Sequence, residues 1–191
     1  MKRILLDMDG VLVNFVGGMM SALGKPWPYD KKKSLGVWNV EKLWGLEDDE
    51  FWAPCNYSDF WAELEWLEDG RRILEICEKY VGRENVYIST SPSLSPNAWK
   101  GKAEWLQKHM PEYHGRVLMG SCKEILAPVG VLVDDYDRNV QRFRDNGGTA
   151  VPVPRPWNAG YACAHTAPGR VMSELYGIFN GGLVNVSSEK V

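Results

Sequence analysis

Cysteine and histidine are scarce in this sequence, which limits the kinds of metal site that it can hold. There are four cysteines and three histidines among 191 residues, and the cysteines are scattered, with no CxxC pair. A zinc site is therefore not expected. Without a secretory signal, the cysteines are interpreted as reduced thiols in a cytoplasm: Cys55, Cys77, Cys122 and Cys163.

Long apolar runs and a basic charge excess are missing as well. The apolar N-terminal residues 4–6 are followed at once by Asp7 and Asp9, which argues against a secretory signal. Nothing approaches the length of a membrane span. A formal net charge of −3 disfavours a polynucleotide partner, whose phosphates favour a strongly basic surface. A small-molecule partner is expected instead, and the oligomeric state, a homodimer included, stays open.

The sequence has the composition and the pattern of apolar segments expected of a globular α/β domain. The composition is 45% hydrophobic and 25% charged, and the length suits one domain with a modest insertion. Short apolar segments alternate with amphipathic ones, which predicts a parallel sheet with helices on both faces. Strands are predicted at 3–6, 85–88, 116–119, 129–133 and 149–153, and helices at 11–23, 60–80, 96–109, 139–145 and 169–179, the last before a polar tail.

Three of the predicted strands end in polar residues. Asp7 and Asp9 follow the first strand, the stretch 89–91 (Ser-Thr-Ser) ends the second, and Asp134 and Asp135 end the fourth. In a parallel sheet, ligands bind beyond the carboxyl ends of the strands. If these strands are neighbours, the polar groups converge on one crevice.

The paired acids after the first strand suggest phosphate chemistry with a divalent cation. Asp7 and Asp9 are two residues apart, so both side chains leave an extended backbone on the same face. Two such carboxylates repel unless a hard cation intervenes, and Asp134 or Asp135 can complete its oxygen ligands. A carboxylate can then attack phosphorus. Gly10 allows the chain to turn sharply beside the anion.

Each of these features has a simpler explanation when it is taken alone. An Asp-x-Asp-Gly sequence is also typical of turns and of calcium loops, but no acidic ligands follow Gly10 at calcium-loop spacing. The stretch 89–92 is typical of a turn or a helix cap. Asp134 and Asp135 can merely cap the next helix, as can Asp137, and a single lysine is usually solvated. Their joint occurrence at three strand ends favours a catalytic site.

The ordered motifs resemble those of the haloacid dehalogenase superfamily of phosphohydrolases. Residues 7–12 (DMDGVL) resemble its first motif, 88–90 (IST) its second and 131–135 (VLVDD) its fourth. Within the superfamily, the sequence is most similar to the 5'(3')-deoxyribonucleotidase group. That similarity rests on DMDGVLVNF at 7–15, FWAELEWLEDG at 60–70 and ISTSP at 88–92.

The resemblance implies a fold and a division into domains. The fold is a three-layer, Rossmann-like α/β architecture with a parallel sheet and a small, mainly helical cap inserted after the first strand. The core comprises residues 1–14 and 68–191, and the cap comprises residues 15–67. The weak periodicity of residues 24–59, which are rich in Trp, Pro and charge, agrees with a partly helical insertion.

The resemblance also implies the reacting groups. Asp7 would attack phosphorus and form an aspartyl-phosphate. Asp9 would protonate the leaving ester oxygen and then activate the water that hydrolyses the intermediate. Mg²⁺ would bind the carboxylates of Asp7 and Asp134 and the backbone carbonyl of Asp9. Asp135 would orient the phosphate-binding lysine or a metal-bound water.

Phosphate binding is assigned in the same way. Thr90 and Lys102 would hold the phosphate oxygens, with Ser91 and Lys123 as further substrate-binding residues. Lys102 is favoured over Lys123 for the third-motif lysine, because the sequence around it resembles the helix that follows Thr-Ser-Pro in that group. The segment 120–122 (Gly-Ser-Cys) departs from the charged segment expected before Lys123.

Aromatic residues of the cap indicate a nucleotide substrate. Phe15 matches a position at which the deoxyribonucleotidases place an aromatic ring against the base, and Trp52 is a second candidate. Stacking of this kind contributes about 1–3 kcal/mol per base. Trp44 and Trp61 are interpreted as part of the cap's own core.

Three other functions fit parts of the pattern. A phosphatase of sugar phosphates or other small phosphomonoesters would use the same motifs without an aromatic base site. A catalytically silent nucleotide or partner binder would have lost the nucleophile or a metal ligand, and both are present. A dehalogenase would share Asp7 but would have little need for Asp9 and the acids that bind magnesium. The preferred hypothesis is a magnesium-dependent deoxyribonucleotidase.

Overall fold

The computed structural model describes residues 3–180, and its centre is a five-stranded sheet in which all neighbouring strands are parallel. The strands lie in the order β3-β2-β1-β4-β5, so β1 is flanked by β2 and β4. This order brings together the carboxyl ends of the three strands that end in polar residues. The strands are β1 Ile4–Leu6, β2 Val86–Thr90, β3 Val117–Met119, β4 Val131–Asp134 and β5 Thr149–Pro152.

Helices cover both faces of the sheet, which confirms the predicted three-layer α/β class. Leu5 packs in a cluster with Phe143 of α7, whereas Ile4 and Leu6 point to the other face and join the larger core that includes Ile73 of α5. The α-helices are α1 Phe15–Leu23, α2 Val40–Trp44, α3 Asp48–Trp52, α4 Ser58–Ala62, α5 Gly70–Val81, α6 Pro96–His109, α7 Asp137–Asp145 and α8 Ala167–Asn180.

Short 3-10 helices and loops make up most of the remaining chain. None of the α-helices between residues 3 and 180 combines the length and the apolar character needed to span a bilayer. The polar tail predicted after the last helix lies outside the described residues. The 3-10 helices are Lys32–Ser34, Pro54–Asn56, Arg83–Asn85, Pro111–Arg116, Lys123–Leu126 and Tyr161–Thr166.

Helix α6 has the predicted bounds, but two other helix predictions were wrong in extent. The helix predicted from residue 11 begins at Phe15, because the Asn14 side chain accepts a hydrogen bond from the Gly17 N–H and caps it there. The pattern at 60–80 is interrupted between α4 and α5, where Trp66 bridges to Val13. The interruption fixes the inserted helices against the turn that follows β1.

The segment between β1 and α5 contains α1 to α4 and packs closely on the rest of the described chain. Helix α4 lies against α6 at Gly101, where a Cβ atom would overlap the backbone of Ser58. The Trp61 indole of α4 lies over Lys102 of α6, with the ring centroid 4.7 Å from Nζ. The insertion therefore contributes an aromatic wall beside a lysine of the candidate site.

Candidate active site

Three buried carboxylates meet at the carboxyl ends of β1 and β4. Asp7 follows β1, Asp134 is the last residue of β4 and Asp135 follows it, and their ligand oxygens all lie within 4.8 Å of one another. The backbone N–H of Asp7 donates to the Val133 carbonyl at 2.9 Å, which extends the β1–β4 pairing to the first acid. The sheet order thus produces the cluster from residues far apart in sequence.

Lys123 lies inside this cluster. Its Nζ is 2.7 Å from Asp7 Oδ1 and 2.7 Å from Asp134 Oδ2, and the residue is 2% exposed. A 3-10 helix that precedes β4 carries Lys123 to this position. Lys123 is the cation in direct contact with the candidate nucleophile.

Lys102 occupies the opposite side of the site. Its Nζ forms an ion pair with Asp9 and donates a hydrogen bond to Thr90 Oγ1 at 3.1 Å. The side chain is fully buried, because α6 brings it beneath Trp61. The structure therefore places both candidate lysines beside candidate catalytic acids, Lys123 at Asp7 and Lys102 at Asp9.

Ionisation of Asp7 and of Asp135 is electrostatically unfavourable in this cluster. Burial, and then the charges of Asp134 and Asp9, raise the pKa of Asp7 from 3.8 to about 7, although Lys123 opposes the rise. Burial and the charges of Asp7 and Asp134 likewise raise the pKa of Asp135 well above its ordinary value. One lysine does not offset three buried acids, so a further cation would stabilise the cluster.

The two acids at the end of β4 differ in how fully they are hydrogen-bonded. Asp134 accepts from Lys123, from the Tyr136 N–H at 2.8 Å and from Asn139 Nδ2 at 3.1 and 3.3 Å. Asp135 Oδ2 accepts from the Trp157 indole N–H at 2.6 Å. The buried Oδ1 atom of Asp135 has no partner within residues 3–180.

The donor set fits a hard divalent cation. Asp9 Oδ1 is a second buried oxygen without a partner in the described part of the chain. Buried polar atoms are nearly always satisfied, and carboxylate oxygens are the ligands that Mg²⁺ prefers. Such an ion would relieve the shortage of donors on Asp135 and the clustered charge.

Residues that the sequence did not single out hold the site together. Arg155 is 5% exposed; its guanidinium binds the Asp69 carboxylate at 2.7 and 2.9 Å and donates to the Gly10 carbonyl at 2.6 Å. Asn158 Nδ2 donates to the Asp135 carbonyl at 2.7 Å. The loop after β5 thereby fastens both acidic turns. No local motif identifies this loop in the sequence. Its position after β5, the strand that pairs with β4, is the one indication of its role.

Gly10 is required by this packing. Its φ is +73°, in the region that favours glycine, and a Cβ atom there would overlap the Asp135 carboxylate. The turn after β1 and the acid after β4 are therefore in direct contact.

An open crevice lies over the acids and has two adjoining cavities of about 250 Å³ each. Asp7 and Ser91 line one cavity, and Glu41 lines the other. Ser91 Oγ donates to the Gly120 carbonyl at 3.3 Å. Five residues line both cavities and so join them: Asp9, Phe15, Trp38, Trp52 and Asp135.

Aromatic rings form much of the crevice wall. The Phe15 and Trp52 ring centroids are 6.1 Å apart with planes tilted by 33°, and Trp52 is 42% exposed. Trp38 stacks on Tyr136 with centroids 4.0 Å apart. Trp61 is 2% exposed, stacks on Phe15 with centroids 5.5 Å apart and also lines the cavity that contains Asp7. The two rings named as base-binding candidates, Phe15 and Trp52, therefore both face the crevice.

Magnesium is expected to stabilise the protein more at pH 8 than at pH 5.5. Because folding raises the pKa of Asp7 from 3.8 to about 7, the native state binds this proton more tightly than the unfolded chain does. The stabilisation that Asp7 contributes is therefore fully present below about pH 4 and is lost as the pH rises through about 7. In thermal unfolding, Mg²⁺ should raise the melting temperature at pH 8 by at least about 4 °C more than at pH 5.5.

The control for this measurement is NaCl at matched ionic strength, which should not reproduce the difference. An equal effect of Mg²⁺ at both pH values would contradict a cation site built on Asp7.

Comparisons with known proteins agree with these features. A family model described as "5' nucleotidase, deoxy (Pyrimidine), cytosolic type C protein" matches residues 1–163. The 5'(3')-deoxyribonucleotidase of Bacillus subtilis (strain 168) is 26% identical over 145 residues, covering 74% of this chain and 80% of that protein. The cytosolic-type 5'(3')-deoxyribonucleotidase of Homo sapiens is 26% identical over 148 residues, covering 71% of each.

Solved structures show a more distant likeness. A haloacid dehalogenase hydrolase of family IA, variant 3, from Entamoeba histolytica covers 92% of this chain and 99% of its own, with a TM-score of 0.48 and 11% identity.

Proposed function

The chain belongs to the 5' nucleotidase, deoxy (pyrimidine), cytosolic type C family of haloacid dehalogenase-like phosphohydrolases, and from that membership we propose that it hydrolyses (deoxy)nucleoside monophosphates in a magnesium-dependent reaction. The observation that carries the proposal is the buried Asp7–Lys123–Asp134 arrangement, in which Lys123 contacts both acids at 2.7 Å. This cluster opens onto an aromatic crevice that suits a flat base.

Asp7 is proposed as the nucleophile. Its carboxylate oxygen attacks phosphorus, the bond from phosphorus to the ester oxygen breaks, and Asp9 gives its proton to the leaving oxygen. In the second step Asp9 takes a proton from water, the water oxygen bonds to phosphorus and the aspartyl-phosphate bond breaks. These steps release inorganic phosphate and restore both carboxyl groups.

Lysines and hydroxyls are proposed to hold the transferring phosphoryl group. Lys123 stands against Asp7, so it offsets the repulsion between the carboxylate and the phosphate. Lys102 binds Thr90 and Asp9. When Lys102 turns to a bound phosphate, the Asp9 carboxyl group is free to carry the proton that it gives to the leaving oxygen. Together with Ser91, which lines the cavity that contains Asp7, they supply preorganised positive charge and donors where negative charge develops.

We assign the magnesium ligands to Asp7, the backbone carbonyl of Asp9 and Asp135. Asp134 was the ligand expected from the sequence, but its oxygens are already occupied by Lys123, Tyr136 and Asn139, whereas Asp135 keeps a buried oxygen without a partner in the described residues. Asp134 then positions Lys123. A bound magnesium ion supplies Lewis-acid polarisation of the phosphoryl oxygens and charge neutralisation.

Residues 15–67 are proposed to act as a cap over a core made of residues 1–14 and 68–191. The cap contributes Phe15, Trp38 and Trp52 to the crevice, and the core contributes Asp7, Asp9 and Asp135. This division assigns base binding to the cap and chemistry to the core.

Replacing Phe15 with alanine should lower the activity on nucleotides far more than the activity on a simple aryl phosphate. The lost stacking is worth about 1–3 kcal/mol, and it should appear in kcat/KM for nucleotides. Phe60→Ala is the matched control: Phe60 packs edge-on against Phe15, with centroids 6.0 Å apart, but lines neither crevice cavity. It should leave the ratio of the two substrates unchanged. Equal losses on both substrates in Phe15→Ala would count against base stacking.

The test of the proposed function is phosphate release from a panel of deoxyribonucleoside, ribonucleoside and sugar monophosphates, with Mg²⁺ and with EDTA. Release that requires Mg²⁺ and favours deoxynucleotides supports the proposal. Release from sugar phosphates alone would keep Asp7 as the nucleophile but discard the nucleotide site. No release from any substrate would leave a silent binder as the better description.

A further inference from the structure

Glu41 is a buried acid that the proposed chemistry does not use. It lies in the first turn of α2, is 9% exposed and lines the crevice cavity that also contains Asp9, Phe15 and Trp52. Burying a carboxylate is costly unless hydrogen bonds or cations compensate it. The partners of Glu41 therefore indicate what the cavity is built to bind.

Only one oxygen of this carboxylate is compensated by the protein. Asn39 Nδ2 donates to Glu41 Oε1. Oε2 accepts no hydrogen bond from residues 3–180, and no lysine or arginine of that range forms an ion pair with Glu41. The charge of Glu41 also acts on Tyr29. Burial is the largest cause that raises the pKa of the Tyr29 phenol, and the charge of Glu41 is the second. Oε2 is not fully enclosed by the protein, so Glu41 keeps one oxygen that can accept a hydrogen bond from a ligand in the cavity.

Apart from the acids Asp9, Asp48 and Asp135, the rest of the cavity suits a flat ring. Phe15, Trp38 and Trp52 contribute aromatic surface, and the volume of about 250 Å³ is just below the range of about 300–1,000 Å³ typical of small-molecule sites. This cavity adjoins the one that contains Asp7 through shared walls. A ligand with its phosphate at Asp7 can therefore extend its base toward Glu41.

Charge orients such a ligand. The two buried lysines, Lys102 and Lys123, contact Asp9 and Asp7 respectively. Neither lysine lines the cavity that contains Glu41. A dianionic phosphate is attracted to the lysines, whereas the carboxylate of Glu41 repels anions and carbonyl oxygens and attracts N–H donors.

We propose that Glu41 recognises the N–H donor edge of the nucleobase and makes guanine deoxynucleotides the preferred substrates. The inference rests on the proposed function, names its substrate, and departs from the pyrimidine nucleotides by which the matched family is described. Guanine presents two adjacent donors, the ring N1–H and the N2 amino group, which a carboxylate accepts together. Adenine and cytosine present an amino donor beside a ring acceptor. Thymine and uracil present one N–H between two carbonyl oxygens, which face the anion unfavourably.

Glu41→Gln tests this inference, because the amide keeps the shape of the side chain but replaces one acceptor with a donor. An acceptor beside a donor matches the N3–H and the adjacent carbonyl of thymine. Calorimetric binding of deoxyguanosine and thymidine is measured on the wild-type protein and the variant, with phosphate release from dGMP, dTMP and an aryl phosphate in parallel. The nucleosides are not hydrolysed, so binding is measured independently of chemistry.

The wild-type protein should bind deoxyguanosine at least about tenfold more tightly than thymidine, and the variant should lose or reverse that preference. Glu63→Gln, an exposed acid of the same inserted segment, is the matched control and should keep the wild-type preference. Equal binding of the two nucleosides to the wild-type protein would overturn the inference, as would an equal loss for both nucleosides in Glu41→Gln.

Parallel phosphate release separates this inference from the proposed function. Selective binding of deoxyguanosine without release of phosphate from any substrate would support base recognition by Glu41 and contradict the phosphatase. Release of phosphate with no preference between dGMP and dTMP, and equal nucleoside binding, would keep the phosphatase and overturn the role of Glu41.

Discussion

Asp7→Asn should fold normally and lose phosphate release by at least about 10⁴-fold, since the substitution removes the proposed nucleophile at nearly constant volume. Asp7 is 6% exposed, and asparagine fits the same space. Lys123 keeps its 2.7 Å contact with Asp134, so the cation is not left unpaired. The measurement is kcat with a deoxynucleotide at saturating Mg²⁺.

The stability of this variant distinguishes loss of chemistry from loss of fold. Removing one of three clustered carboxylates relieves repulsion, so the metal-free variant at pH 8 should melt at or above the wild-type temperature. Asp145→Asn, an exposed aspartate at the end of α7, is the control and should retain full activity. Substantial turnover by the correctly folded Asp7→Asn variant would contradict the assignment of Asp7 as the nucleophile.

Lys123→Met should reduce both activity and stability. The substitution keeps the length of the side chain but leaves Asp7 and Asp134 facing each other without the cation that contacts both. Removing one partner of a buried ion pair costs about 3–5 kcal/mol, and losing a preorganised charge at the reacting group costs about 10²–10³ in kcat. Denaturant unfolding of the metal-free protein and steady-state kinetics measure the two effects.

Lys100→Met is the matched control for that substitution. Lys100 lies on α6 with its side chain 61% exposed and is 3.4 Å from Glu104, and exposed pairs of this kind contribute about 0–1 kcal/mol. It should leave activity unchanged and stability nearly so. If Lys123→Met were as mild as Lys100→Met, Lys123 would have no part in holding the acids or the phosphate.

The main features of the site could be predicted from sequence because they lie at strand ends. Asp7, Thr90 and Asp134 each stand at the carboxyl end of an apolar segment, and the parallel sheet brings such ends together. Helix α6 was also predicted with its observed bounds, since its apolar spacing is regular and Ser95 and Pro96 mark its start.

The choice between two lysines could not be made from sequence. Lys102 and Lys123 were treated as rivals for one position, whereas the structure places one beside Asp9 and the other beside Asp7. Local sequence gives the helix that carries a lysine but not which acid it meets across the sheet. That information depends on the strand order.

Partners that approach from distant loops were also beyond local patterns. Arg155 and Trp157 lie in a loop without a motif, yet they bind the Gly10 carbonyl and the Asp135 carboxylate. Glu41 lies in the weakly periodic insertion, where neither its burial nor its place on the crevice wall could be inferred. Such contacts depend on tertiary packing, which amino-acid spacing does not encode.

The most direct test of the account is to trap the covalent intermediate. The protein is mixed with a deoxynucleotide and Mg²⁺, quenched in acid during turnover and digested for mass spectrometry. The account predicts a phosphoryl group on the peptide that contains Asp7, and its absence in Asp7→Asn. Continued turnover with no phosphorylated peptide in the wild-type protein would contradict it.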